Sequence, residues 1–452
     1  MKNLKIQIFS YLWNFFSYIG CFKFHLFVSY FFISEFKTNR RKSLFLKKKN
    51  LKKIKNILVL DASRFRGDLE IFSDKEENIC FWTISWSFLE HMMKSYVTDN
   101  DSSKYSNQAI GFRSRFRMEK ENPDIYEQRK KYRQFLRLFL PILYKFYDFK
   151  MILNSDHRYR READICRVSS ELGFTHICYY REALYITKSN YLLAVKRHAE
   201  YGKFYGKAIL VQNEITKKMF VESRMLDENQ IFIRGCPRMD NYISRIKNKK
   251  PKSKNFRQIS YFSCPAGAQT SNLKRIDLFK HSLNTIITIA KFCAKNRNIN
   301  FIIKFKDMHL SQLPIIKEKL KNTFNDNVPE NIVIETGRMA AQEIILSSDI
   351  VVSMQSTIVL EAAISSVNVI LPHFKDLRKQ KGAKDVLMYQ EHRDLFDVPE
   401  DYNDLVKIIK NRIQTKKINK NKLKKVRQLF EKYVSPLNEN ATKTSLNLIK
   451  RF

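Results

Sequence analysis

Ser347-Ser-Asp-Ile-Val-Val-Ser-Met-Gln-Ser-Thr-Ile-Val-Leu-Glu-Ala-Ala-Ile-Ser-Ser-Val-Asn-Val-Ile-Leu371 reads as strand, turn, helix, strand. Asp349 to Ser353 holds a β-branched apolar run too short for a helix, whereas Thr357 to Ile364 repeats apolar residues at helical spacing with Glu361 on its polar side. The turn between them contains Ser353, Gln355, Ser356 and Thr357. It lies where a buried strand ends and a helix begins, and free backbone N–H groups with hydroxyl donors at such a place favour an anion. Two readings stand here: a phosphate site, and a plain helix cap, the commonest use of Ser and Thr.

The same alternation continues outward. Upstream come strand Ile259 to Ser263, helix Leu278 to Lys295, strand Asn300 to Lys304, helix Gln312 to Phe324 and strand Ile332 to Ile334. A Lys/Pro/Ser-rich stretch, Lys247 to Arg257, separates these from an earlier series of short apolar runs: Asn56 to Asp61, Ile79 to Ile84, Met151 to Asn154, Thr175 to Tyr180, Ala208 to Val211 and Gln230 to Arg234. Repetition of this kind implies parallel sheets with helices on both faces, so the fold class is α/β with two Rossmann-like, doubly wound domains. The expected division is 1–55, 56–246 and 247–452, the last ending in basic helices. Functional loops follow the strands, which selects Asp156, His157 and Arg158, then Arg181 and Glu182, then Asn213 and Glu214.

The 452 residues carry a formal charge of +38 with 44% apolar content, so the chain is globular and an anionic partner is expected. Abundant Lys, Asn, Ile and Phe beside ten Gly and ten Pro also fit a drift toward AT-rich codons, so the location of charge informs more than its sum. Seven scattered cysteines without a Cys-x-x-Cys pair point to a reducing compartment and no structural zinc. No His-Glu-x-x-His, Gly-x-Ser-x-Gly, Gly-x-Gly-x-x-Gly or Walker loop occurs, which leaves the simplest protease, esterase and nucleotide-loop readings unsupported. Asp99-Asn-Asp101 reads as a surface loop rather than a metal grip. No metal or other cofactor is expected.

Residues 6–36 are rich in aromatic and apolar side chains, with Lys23 and His25 near the middle, and a polybasic run from Lys37 to Lys55 comes directly after. Charged groups at mid-span disfavour a crossing, while Trp and Tyr prefer the headgroup interface and the basic run suits anionic lipid. The expectation is a helical segment docked in the plane of the membrane on its cytoplasmic side. A single span and a buried helical hairpin are the alternatives, and no secretory cleavage pattern is found.

Gly235-Cys-Pro-Arg-Met-Asp240 resembles the Gly-x-Pro-Arg-x-Asp signature of bacterial surface-carbohydrate and capsule biosynthesis proteins with the GT-B glycosyltransferase architecture. Leu153-Asn-Ser-Asp-His-Arg-Tyr-Arg-Arg-Glu162, Leu172-Gly-Phe-Thr-His-Ile-Cys-Tyr-Tyr-Arg-Glu182 and the opening stretch resemble the same group, so the likeness covers roughly Ile152 to Leu371. Relatives by fold include nucleotide-sugar epimerases and the polyol-phosphate transferases of teichoic acid synthesis. The chain departs from the group at Lys304-Phe-Lys306-Asp-Met-His309, where many members carry Lys-x-His-Pro.

The resemblance implies two domains facing a cleft, with a nucleotide-activated sugar or polyol on the second and a lipid-linked or nascent glycan acceptor on the first. Gln355, Ser356, Thr357, Lys304, Lys306 and Arg238 would hold phosphate, and Glu361 would reach a ribose hydroxyl. The bland readings are an exposed helix carboxylate for Glu361 and an Arg238–Asp240 structural pair. Glu182 is the first candidate for the base, with Asp68 and His157 next. Sugar transfer in surface polysaccharide synthesis is the main expectation. Glycerol- or ribitol-phosphate transfer is the nearest rival, an epimerase fits less well, and a basic adaptor for lipid or nucleic acid is the alternative from another class. Nucleic acid is not the expected partner.

Overall fold

Short apolar runs closed by polar turns become the strands of two parallel sheets, and the amphipathic runs between them become the covering helices. The computed structural model describes residues 11–36, 55–97, 123–159, 161–248, 257–269, 275–337, 339–415 and 419–452. They fall into two compact units. The first takes residues up to Ala183, Val195–Arg238 and Asn440–Phe452; the second takes Leu184–Ala194 and Met239–Glu439.

In the first unit the strands are β1 (Ile33–Glu35), β2 (Lys55–Leu60), β3 (Ile79–Ile84), β4 (Phe149–Asn154), β5 (Thr175–Tyr179), β6 (Ala208–Val211) and β7 (Ile231–Ile233). Their order is β1-β3-β2-β4-β5-β6-β7. All pairs are parallel except β1 with β3. The direction of winding reverses between β2 and β4, so a crevice is expected beyond the carboxyl ends of those strands.

The second unit has β8 (Arg257–Phe262), a two-stranded ribbon of β9 (Gly267–Gln269) and β10 (Arg275–Asp277), then β11 (Ile299–Lys304), β12 (Ile332–Glu335), β13 (Ile350–Ser353) and β14 (Asn368–Ile370). Five of these form a parallel sheet in the order β12-β11-β8-β13-β14, which reverses between β8 and β13. Its core is the apolar stripe of helix Phe279–Lys295, with Ile286, Ile289, Ala290 and Cys293, packed with Phe301, Ile303 and Val352 of the sheet.

Three placements differ from the sequence reading. The final helix, Ala441–Arg451, expected with the second domain, packs Leu446 and Ile449 into the core of the first. Lys450 pairs with Glu76 there, and the Lys55 ammonium donates to the Ile449 carbonyl at 3.1 Å. The unit boundary falls at Arg238, inside helix Pro237–Lys247, ahead of the Lys-rich stretch. The aromatic N-terminal region is not one helical segment, because it ends as the edge strand β1.

Before β1 the chain forms a helical hairpin, residues 11–18 and Phe22–Phe32. Trp13 is fully buried and meets Phe88, Phe135 and Phe139 edge-on. His25, placed mid-span by the sequence, is buried too, and its Nε2 lies 3.1 Å from the Trp13 carbonyl. The opposite side exposes Tyr11, Phe15, Tyr18, Phe27 and Phe31. No helix among the described residues is long and apolar enough to cross a membrane. The polybasic run 37–54 and Asp99-Asn-Asp101 lie outside the described residues.

Candidate functional site

In the second unit, the segments that leave the carboxyl ends of β8, β11 and β13 come together where the sheet reverses. Ser353, the last residue of β13, is in register with Phe262 of β8, so the next residues, Met354 and Ser263, emerge side by side. The Ser263 hydroxyl accepts the Lys306 backbone N–H at 3.1 Å and pairs with His309 Nδ1 at 2.9 Å. Gln312 donates to the Cys264 carbonyl at 3.1 Å, which fastens the 3-10 helix Asp307–Gln312 across the strand ends. Burial, reinforced by the Lys306 charge, lowers the His309 pKa, so its imidazole is neutral at pH 7.

The turn Ser353 to Thr357 is fixed from behind. His373 Nε2–H donates to the Met354 carbonyl at 2.8 Å, and the Tyr389 hydroxyl donates to the Ser356 carbonyl at 2.7 Å. Burial pushes His373 down to about 4, which keeps it a neutral donor. The Ser353 hydroxyl and the Gln355 amide nitrogen are buried without a partner among the described residues. Buried polar groups are nearly always paired, so these two are where a ligand would bind. Both original readings find a place. The Ser356 hydroxyl accepts the Ile358 N–H at 3.3 Å as a cap, whereas the Thr357 side chain makes no cap bond.

Lys304 ends β11 with its ammonium 3.7 Å from Glu335, and Lys306, two residues on, is exposed. Glu361 does not lie on a polar face. Every residue of helix Ile358–Ile364 is buried, and the Glu361 carboxylate accepts from Gln342 at 3.3 Å while its carbonyl takes the Tyr242 hydroxyl at 2.8 Å. The exposed-carboxylate reading is therefore corrected.

In the first unit the three base candidates occupy different surroundings. Asp68 is buried, accepts from the Tyr179 hydroxyl at 2.9 Å and from the Arg238 backbone N–H at 3.2 Å, and has the guanidinium groups of Arg234 and Arg238 each at 3.9 Å. Arg238, grouped with the donor phosphate in the sequence reading, thus belongs to the first unit and anchors on Asp68. His157 is packed against His198, with 3.3 Å between its Nε2 and His198 Nδ1, and burial pushes it down to about 3. Asp156 beside it is tied to Arg158 by several short bonds, which overcome the effect of burial and hold the carboxyl below the usual range. Glu182 is the most open of the three, its carboxylate between Arg66 at 3.2 Å and Arg181 at 3.1 Å. Asn213 caps helix Glu214–Ser223 through the Thr216 N–H at 2.9 Å, a structural role.

Sequence reasoning left out Ser263, His373 and Tyr389 and gave His309 no role. His309 was within reach, since it follows Lys304 at the end of β11 and Lys306 just beyond it; the other three are brought to the turn only by folding.

A family model described as CDP-glycerol:poly(glycerophosphate) glycerophosphotransferase matches residues 182–440, more than half of the chain. The chain belongs to that family. It is accordingly a transferase of surface-polymer biosynthesis, in agreement with the resemblance read from its motifs. No curated protein matches it in sequence. Among solved structures, a UDP-N-acetylglucosamine 2-epimerase aligns over 89% of this chain and 96% of its own at 11% identity, TM-score 0.50. The wall teichoic acid polymerase TagF aligns over 89% of both chains at 11% identity, TM-score 0.49, and the UDP-GlcNAc 2-epimerase of Neisseria meningitidis over 88% and 100% at 10%, TM-score 0.48. At such identity the first of these, with its TM-score of 0.50, speaks for the α/β fold alone.

Proposed function

We propose that the chain transfers a polyol phosphate, glycerol phosphate first among them, from a cytidine-diphosphate donor to the terminal hydroxyl of a growing polyol-phosphate polymer. The family match carries this reading. The buried, unpaired Ser353 hydroxyl and Gln355 amide at the switch point of the second unit support a diphosphate there. In the reaction the acceptor oxygen forms a bond to the donor's distal phosphorus, the bond from that phosphorus to the bridging oxygen breaks, and cytidine monophosphate leaves. Lys306 and the turn Ser353 to Thr357 offset charge on the leaving group, and neutral His309 donates a hydrogen bond to the transferred phosphoryl. Glu182 takes the acceptor proton in this reading, with Asp68 and His157 as organising groups. No cofactor beyond the donor's nucleotide is assigned, and sugar transfer has less support because the matching family moves glycerol phosphate.

The exposed aromatic side of the N-terminal hairpin, next in sequence to a polybasic run, supports docking on an anionic membrane from the cytoplasmic face, where a lipid-linked acceptor would be met. The deciding experiment offers purified full chain a poly(glycerol phosphate) primer with CDP-glycerol or with UDP-N-acetylglucosamine, and measures CMP or UDP release and primer length. CMP release with primer extension is expected. Sugar incorporation with CDP-glycerol inert would overturn the proposal.

A further inference from the structure

The loops after β2, β4 and β5 of the first unit emerge at one end of a parallel sheet, and they contain arginine but no lysine, although lysines outnumber arginines in the chain. Compositional drift toward lysine does not account for that choice. Arg64 and Arg66 come after β2, Arg158 and Arg161 after β4, Arg181 after β5, and Arg238 after β7.

Two aromatic rings order these side chains. The Arg64 guanidinium lies 4.7 Å from the centre of Trp86 and 5.3 Å from that of Tyr159. Arg161 covers the same Trp86, and Arg181 lies 5.5 Å from the same Tyr159. Stacking on a ring holds the guanidinium plane and leaves its N–H edge to meet a phosphate in bidentate fashion, which an ammonium cannot do. Carboxylates are shared: Glu182 serves both Arg66 and Arg181, and Asp68 serves both Arg234 and Arg238. Arg66 and Arg64 keep 44% and 34% of their side-chain surface open to solvent. Arg64 also pairs with Asp61 at 3.0 Å, Arg158 with Asp156 at 2.6 Å and Arg161 with Glu90, so the seven guanidinium groups in these pairs share five carboxylates and leave an excess of positive charge for an anion.

We propose that this face is a phosphodiester-binding site that grips the acceptor polymer along several of its phosphates, with Arg64 and Arg66 at its exposed centre and the more covered Arg181 beside them. The polymer's identity rests on the proposed function; the class of ligand, a flexible chain of phosphodiesters rather than a neutral glycan, rests on the arginines. The site also explains why Glu182 sits between two cations: the acceptor's phosphates are drawn to the residue assigned to receive the proton of its terminal hydroxyl.

The test uses full-length protein with synthetic glycerol-phosphate oligomers of about ten units and a neutral glycan oligomer of similar length. Calorimetry is expected to show binding of the phosphate oligomer alone, weakening steeply as NaCl rises because counterions compete for the same charges. Arg66→Gln with Arg181→Gln should raise the acceptor KM about tenfold or more and flatten its salt dependence. The pair Arg66→Lys with Arg181→Lys, which keeps charge and loses the fork, should fall between. Equal binding of the neutral glycan to wild-type protein, or an unchanged KM and salt slope in either folded pair, would overturn the site. Affinity for CDP is measured alongside and reads the donor proposal separately, so a protein that binds oligomer but not CDP refutes that proposal and leaves this one standing.

Discussion

Ser353 and Gln355 are the residues on which the donor proposal can be separated from mere architecture. A buried hydroxyl with a protein partner costs about 1 kcal/mol or more to remove, but the Ser353 hydroxyl has none. Ser353→Ala should therefore leave the urea midpoint within about 0.5 kcal/mol of wild type while weakening CDP binding roughly tenfold. A loss of stability with CDP affinity intact would show the hydroxyl to be structural. Both residues could be read in advance, because strand end, turn and helix start are contiguous in sequence. Glu361 could not. Its helix is buried on every side, so an amphipathic pattern was sought where none exists, and only the Gln342 and Tyr242 contacts show why a carboxylate is tolerated inside.

At the scale of elements, the two chain ends both belong to the first unit. Ile449 is fully buried, and truncating a buried Ile to Ala usually costs about 2–5 kcal/mol through lost burial and the cavity left behind. Ile449→Ala should lower stability in that range in chemical denaturation, whereas Asn447→Ala on the exposed side should stay close to neutral. The N-terminal hairpin has two faces with opposite tests. Trp13→Ala should destabilise by about 3–5 kcal/mol, as large aromatic deletions do. Phe15→Ser with Tyr18→Ser and Phe31→Ser should leave the melting temperature nearly unchanged and reduce flotation with anionic vesicles. Flotation equal to wild type would remove the hairpin from membrane docking. The sequence showed the aromatic richness of this region, but it could not tell the face that packs on helix Pro123–Tyr147 from the face left open, since the partner lies a hundred residues away.

Across the whole molecule, the buried histidines of the first unit set a pH limit. Burial pushes His157 and His176 down to about 3 and lowers His198 well below its ordinary value. Unfolded, each titrates near 6.5, so between about 6.5 and 3 the unfolded chain binds more protons than the folded one. Their contribution to stability is thus full above about pH 6.5 and is lost progressively on acidification, by roughly 2 kcal/mol for each of His157 and His176 at pH 5. Urea unfolding at pH 7.5 and 5.0 should show this fall, and His176→Gln should reduce it. A pH-independent midpoint would mean that these rings are reached by water.

The sequence by itself determined two alternating α/β series, the positions of nearly all their strands and the turn after β13, because strand, turn and helix signals are local and repeat with the period of the backbone. It also carried the Gly-Cys-Pro-Arg-Met-Asp motif by which the family is recognised. Only the tertiary structure decided which side chains share a place: the pairing of Ser263 with His309, the anchoring of Arg238 on Asp68, and the convergence of arginines from four loops. Those are consequences of strand order. A sheet that reverses its winding brings the carboxyl ends of β2 with β4, and of β8 with β13, side by side, and no window along the chain contains both partners.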